Sequence, residues 1–147
     1  MKNVINILAL CLLMMTIACG KDDEKESTSD QTAPELIIES PVDNTDLLSG
    51  NQVFVKALCK DDVALSKLTV TLSKKASEQA TTKSVKEPWT EDDLVIDLSG
   101  TEQSVDELFG EISSDALAGV YQLNFTLADE AGKTTSETIT LNVNMNL

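Results

Sequence analysis

The chain has 147 residues, 41% of them hydrophobic and only 3% aromatic, so its core must be built from Val, Leu, Ile and Ala, in one domain of ordinary size. Eleven basic residues, all lysine, stand against 25 acids for a formal net charge of −14, which opposes binding to nucleic-acid backbones or to anionic lipid. There is no histidine, which excludes a Cys–His nucleophile and a histidine-ligated zinc.

In chain order, Met1-Lys2-Asn3 is a short positive head, and Val4 to Met15 is an apolar run interrupted only by Asn6. That run is too short for a stable membrane span and reads as a secretory signal over residues 1–18. Thr16-Ile17-Ala18-Cys19 resembles a bacterial lipobox, in which the chain is cut before a lipid-modified cysteine; Thr16 departs from the usual leucine, while Ala18 and Gly20 fit. The resemblance implies that Cys19 is the lipid attachment point, carrying three acyl chains of the palmitate kind. Each buried methylene contributes about 0.8 kcal/mol, and more than one chain is needed for stable anchoring. Residues 19–33 are polar, acidic and rich in Ser and Thr, which predicts a disordered tether. Lys21-Asp22-Asp23-Glu24, following Cys19-Gly20, resembles the export signal of Bacteroidetes lipoproteins. It implies an outer-membrane, lipid-anchored protein displayed on the cell surface, with a periplasm-facing position as the alternative. Cys11 leaves with the signal and Cys19 takes lipid, so Cys59 has no intrachain partner. It shares a face with Val53, Val55 and Ala57, as a buried core thiol does.

From Pro34 the pattern has period two. Leu36 and Ile38 alternate in a first strand, and residues 42–51 form a loop. Residues 52–60 form a second strand, Asp61-Asp62 turns the chain, and Leu68, Val70 and Leu72 face inward from a third. Ser73 to Pro88 is polar and reads as a loop or a lysine-protected edge hairpin. Leu94 to Leu98 resumes the alternation. Val105, Leu108, Phe109 and Ile112 are spaced as in one short helical segment, with Ser104 and Glu107 as its cap. Tyr121, Leu123, Phe125 and Leu127 share a face, Asp129 to Gly132 is a turn, and Ile139, Leu141 and Val143 face inward from a last strand. The reading is an all-β, antiparallel β-sandwich of about seven strands filling residues 34–147.

Pro34 to Pro41, Gly50 to Ala57, Asp61-Asp62 and Gly119 to Lys133 resemble stretches of bacterial immunoglobulin-like or cadherin-like modules, with Ser73 to Ser114 poorly matched. The paired cysteines and central tryptophan of antibody domains are absent. The resemblance implies a non-enzymatic cell-envelope module for binding or adhesion, with an extracellular protein, a glycan or an outer-membrane complex as partner. A structural accessory subunit of a surface complex is the alternative, and a carboxylate-dependent glycoside hydrolase the remote one. Trp89 and Phe109 are candidate ligand contacts, and Trp89 equally reads as cover for a core edge.

In such a sandwich the loop after the second strand and the loop before the last lie at one pole, so Asp61 and Asp62 approach Asp129 and Glu130. These four are the candidate calcium ligands, calcium being a hard cation that takes oxygen donors. Cadherin-like relatives bind calcium between modules. Turn formation accounts for the same residues without metal, because aspartate side chains bond to nearby backbone and Gly132 accepts positive φ. No catalytic residues and no nucleophile elbow, phosphate loop or metalloprotease helix are read in the chain.

Overall fold

A computed structural model describes residues 30–75 and 87–145. The expected signal and lipid-attachment residue, 1–18 and Cys19, lie outside the described residues, as do residues 20–29 of the expected tether and residues 76–86.

Among the described residues eight strands form: β1 (Glu35–Ser40), β2 (Thr45–Leu48), β3 (Gln52–Lys60), β4 (Leu65–Lys74), β5 (Leu94–Asp97), β6 (Glu102–Glu111), β7 (Gly119–Asp129) and β8 (Thr134–Asn144). They make a three-stranded sheet, β1-β3-β6, and a five-stranded sheet, β2-β8-β7-β4-β5. All pairings are antiparallel except that of β2 with β8, which is parallel. This two-sheet architecture is consistent with the expected immunoglobulin-like or cadherin-like sandwich.

The core follows the period-two pattern. Tyr121, Leu123, Phe125 and Leu127 are wholly buried on β7, opposite Val53, Val55, Ala57 and Cys59 of the other sheet. Leu68 and Val70 of β4, Leu141 and Val143 of β8, and Val105 and Phe109 of β6 join them, so the two inner faces interdigitate as apolar rows. Burial alone pushes the Cys59 thiol up to about 11.

Two segments differ from the sequence reading. Residues 104–112 are not helical; Ser104 to Glu111 belong to β6, and no helix occurs among the described residues. The register between β3 and β6 slips between Val53 and Phe54, so that Val53 faces Gly110 and Phe54 faces Leu108, with Phe109 as the extra residue. A bulge of this kind breaks the period of two, and a strand with one bulge imitates the spacing of a helix. Leu108 accordingly points outward, 46% exposed, while Phe109 is buried. Within the loop expected at 42–51, β2 forms after a turn in which Asn44 adopts a φ of 62°. It carries the chain from one sheet to the other, with Thr45 and Leu47 half-buried.

One pole of the sandwich gathers the residues that matter below. The chain enters it at residues 30–34, the β3–β4 turn returns to it at Asp61–Ala64, and the β7–β8 hairpin closes it at Glu130–Lys133.

Candidate carboxylate site at the sandwich pole

Asp61 begins the β3–β4 turn. Its Oδ1 accepts the amides of Val63 at 2.9 Å and Ala64 at 2.7 Å, the local bonding by which an aspartate bends the chain. Asp129 ends β7, and its Oδ1 accepts the Lys133 amide at 2.8 Å across a hairpin whose Gly132 has a φ of +87°. The Glu130 amide donates to the Ala64 carbonyl at 3.0 Å and fastens the two turns side by side. Turn chemistry thus fixes one oxygen of each aspartate. The second oxygens, Asp61 Oδ2 and Asp129 Oδ2, are buried and have no hydrogen-bond partner.

The third member comes from the entering segment. Asp30 has a side chain only 6% exposed, and its Oδ1 accepts the Thr32 amide at 2.9 Å. Lys133 Nζ donates to the Asp30 carbonyl and stands 4.0 Å from Asp30 Oδ1. One ligand atom from each of Asp30, Asp61 and Asp129 lies within 4.8 Å of the others. Three carboxylates this close repel, and an unpartnered buried oxygen is costly, so the arrangement favours a positive charge between them. The cluster is compatible with a divalent cation such as calcium, whose oxygen ligands, flexible geometry and preference for carboxylates match this donor set.

The four predicted ligands separate. Asp61 and Asp129 meet in the cluster; Asp62 does not join it but accepts the Thr32 hydroxyl at 3.1 Å, and Glu130 is exposed. A shallow groove of about 270 Å³ runs beside the cluster, lined by Thr32, Ala33, Glu35, Lys60, Asp61 and Asp62. Asp30 escapes sequence reasoning because its surroundings are polar and aperiodic, as a tether's are. The faint signal is an aspartate two residues before a threonine amide, just ahead of the first strand.

Trp89 and Phe109 stand in the core at 3% and 7% exposure, not on a ligand-facing surface. Their rings meet edge to face at 6.1 Å, and Trp89 meets Tyr121 at 5.7 Å. The Tyr121 hydroxyl accepts the Trp89 amide at 3.0 Å and donates to the Leu117 carbonyl at 2.7 Å, while Trp89 Nε1 donates to Glu91. Trp89 covers a core edge, the other of the two readings its sequence position allows. Asp43 lies away from the cluster, in the β1–β2 turn. The Thr140 backbone amide donating to it holds its carboxyl below the usual range.

The cluster corrects the reading of this domain as a non-enzymatic binding or adhesion module without a catalytic site. Convergent carboxylates with two buried oxygens left unpartnered are a chemically competent group, able to hold a metal ion.

No curated protein matches the chain. Among solved structures, that of catalytic inactive OgpA from Akkermansia muciniphila in complex with an O-glycopeptide substrate aligns at 12% identity and a TM-score of 0.48, over 76% of this chain. The chain spans 29% of that protein's length. A family model described as a domain of unknown function, DUF4625, matches residues 17–144, and the chain belongs to that family.

Proposed function

We propose that this chain is a cell-envelope lipoprotein whose β-sandwich holds a divalent cation of the calcium class at Asp30, Asp61 and Asp129. The observation that carries the reading is the pair of buried, unpartnered oxygens, Asp61 Oδ2 and Asp129 Oδ2, beside a third carboxylate. Backbone amides satisfy the other oxygen of each turn aspartate, so the turns themselves do not require these two. Three carboxylates supply part of the 6–8 oxygens calcium takes. The lipobox at Thr16 to Cys19 supports anchoring through lipid on Cys19, and Lys21 to Glu24 supports display at the outer membrane surface. In that setting the domain serves as an accessory unit of a surface assembly, its pole stiffened by the ion.

Calorimetric titration of the full chain with calcium tests the site. Binding heat that disappears in Asp61→Asn and Asp129→Asn is expected, and no heat at millimolar calcium refutes it. Cys19→Ser tests the anchor, because the variant leaves the membrane fraction while the domain stays folded; a variant that survives carbonate and urea washes on the membrane refutes it.

A second reading is carboxylate-dependent hydrolysis of a glycan or glycopeptide, favoured by the groove that runs along Asp61 and opens beside the cluster. Retaining glycosidases use two carboxyls about 5–5.5 Å apart, and here one ligand atom of each carboxylate lies within 4.8 Å of the others. In that mechanism one carboxyl is nucleophile and the other acid. A divalent ion takes the same oxygens, so calcium inhibits. Turnover of aryl glycosides that rises on chelation supports hydrolysis; turnover that falls on chelation points to the ion, and none in either condition removes it.

A further inference from the structure

The outer face of the small sheet carries a pattern that neither the core nor the carboxylate cluster requires. The register of β1, β3 and β6 sets its side chains in rows across the strands. Glu35, Lys60 and Glu102 make the first row, and Ile37, Leu58 and Ser104 the second. Lys56 and Asp106 make the third, with Glu39 close enough for its charge to act on Lys56, and Phe54 and Leu108 make the fourth. Charged and apolar rows thus alternate along the strands, one row for every two residues, or roughly 7 Å.

The apolar rows are uncovered. Of the chain's one tryptophan, one tyrosine and three phenylalanines, Phe54 alone is not buried; it is 44% exposed, and Ile37 and Leu108 are exposed to a similar degree. Beside Phe54 opens a groove of about 600 Å³, lined by Pro41, Val42, Leu47 and the Lys56–Asp106 pair among others. Exposed apolar residues gathered on one face around an aromatic side chain mark an interaction surface. Phe54 lies seven residues along β3 from Asp61, roughly 23 Å, so this groove stands apart from the carboxylate cluster.

Charge selects the occupant. Lys56 pairs with Asp106 at 2.8 Å and Lys60 with Glu102 at 3.3 Å, so both lysines are neutralised within the face. Glu35 and Glu39 make no ion pair among the described residues, which leaves each charged row one acid in excess. A second copy would bring the same excess acids and its own net charge of −14. Sugar hydroxyls would find few polar partners in the apolar rows. A strand that alternates basic and aliphatic side chains on one face meets both kinds of row, because its own repeat of two residues is the repeat of the rows. We propose that the outer face of β1-β3-β6 docks such an extended segment of a partner protein, its lysines or arginines on Glu35 and Glu39 and its aliphatic side chains on Ile37, Phe54 and Leu108. The proposal rests on the reading of the domain as an accessory unit of a surface assembly, and not on the cation.

The test follows the amide NMR shifts of the labelled full chain, in chelator, on titration with the capped peptide Lys-Thr-Leu-Thr-Lys-Thr-Leu. Shifts centred on β3 and β6 at millimolar peptide are expected. A peptide with glutamate in place of lysine binds about tenfold more weakly at low ionic strength, and the gap narrows in high salt. Phe54→Ser weakens the lysine peptide about tenfold, and Glu35→Lys with Glu39→Lys reverses the preference to the glutamate peptide, a gain that a misfolded variant cannot show. No shifts at millimolar peptide, shifts that ignore the peptide's charge, or shifts centred on β7 and β8 overturn the proposal. So do maltohexaose moving the same amides at lower concentration, and a dimer of the full chain in sedimentation that Phe54→Ser dissolves. None of these outcomes alters the calcium titration or the membrane fractionation, which test the cation site and the anchor separately.

Discussion

Replacing Asp129 with Asn separates a cation site from a cluster of turn residues, because a cation site reverses the sign of the effect between chelator and calcium, whereas turn residues alone keep it. The substituted amide keeps a side-chain oxygen to accept the Lys133 amide, now 2.8 Å from the Asp129 carboxylate, so the hairpin survives. What changes is the second atom, an unpartnered buried oxygen that becomes an NH2 facing two carboxylates. At the 4.8 Å limit of the cluster, one carboxylate pair repels by about 3.5 kcal/mol at an effective dielectric near 20. Lys133 and solvent screen much of that, and relieving the orphaned oxygen is itself worth about 1–3 kcal/mol. Without metal, Asp129→Asn therefore stabilises the domain by about 2 kcal/mol, which raises Tm by roughly 8 °C in a domain of this size. With calcium at one hundred times its dissociation constant the wild type gains about 2.7 kcal/mol and the variant almost none, so the order of stabilities reverses. Trp89 is the chain's one tryptophan and is buried, so its fluorescence follows thermal unfolding of the full chain in chelator and in calcium. An Asp129→Asn variant less stable than wild type in chelator refutes the reasoning. So does a wild type whose Tm is indifferent to calcium.

Two further predictions concern the frame that holds the pole. Tyr121→Phe strands the Trp89 amide and the Leu117 carbonyl, which the hydroxyl now joins, and should cost about 2–3 kcal/mol or roughly 10 °C in Tm; a shift below about 2 °C shows that the bridge is dispensable. Cys59 is wholly buried with its thiol pushed up to about 11, so alkylation at this residue, followed by mass spectrometry at pH 8, should run at least about a thousandfold slower than in denaturant. The sign of its pH dependence follows: the folded state holds the proton more tightly than the unfolded, so this contribution is intact below the ordinary thiol value of 9.0 and is lost as pH climbs toward about 11. Native-state alkylation as fast as in denaturant contradicts the burial.

The strands legible in the sequence are those in which one face is wholly apolar. Tyr121, Leu123, Phe125 and Leu127 leave no other way to bury β7, and Val53, Val55, Ala57 and Cys59 fix β3 in the same manner. The segment from Val105 to Ile112 imitates a helix because a bulge at Phe109 supplies the three-four spacing, and the partner that creates the bulge, β3, is distant in sequence. β2 is hidden in the sequence because four residues with only Thr45 and Leu47 turned inward are too short to establish a period. At the pole, Asp61 and Asp129 are legible through topology, since a sandwich brings those two turns together whatever their sequence. Asp62 and Glu130 are one residue away, and alternation turns neighbours to different sides, which no reading of acidic pairs can resolve without the backbone. Asp30 carries no periodic or turn-length signal; only its distance from β1 and the position of Lys133 place it in the cluster.

Each turn carboxylate divides its two oxygens in a way that turn formation alone does not explain. If bending the chain were the whole purpose of Asp61 and Asp129, the hydrogen bonds made by Oδ1 would suffice, and Oδ2 would best be solvated. Both turns instead bury Oδ2 without a partner, and both do so toward one shared pole that the entering segment covers with a third carboxylate. Burial of one such atom is a local accident of packing; two atoms from turns more than sixty residues apart in the chain are held together by the Glu130–Ala64 backbone bond. Asparagine at either position would build the same turn at lower electrostatic cost, since its amide oxygen accepts the same backbone protons. Retaining two formal charges where none is needed for the fold is the property that a cation site, or a carboxylate pair with chemistry to perform, explains and a surface turn does not. The chelator experiment on Asp129→Asn measures that cost directly, and the calcium arm measures what offsets it.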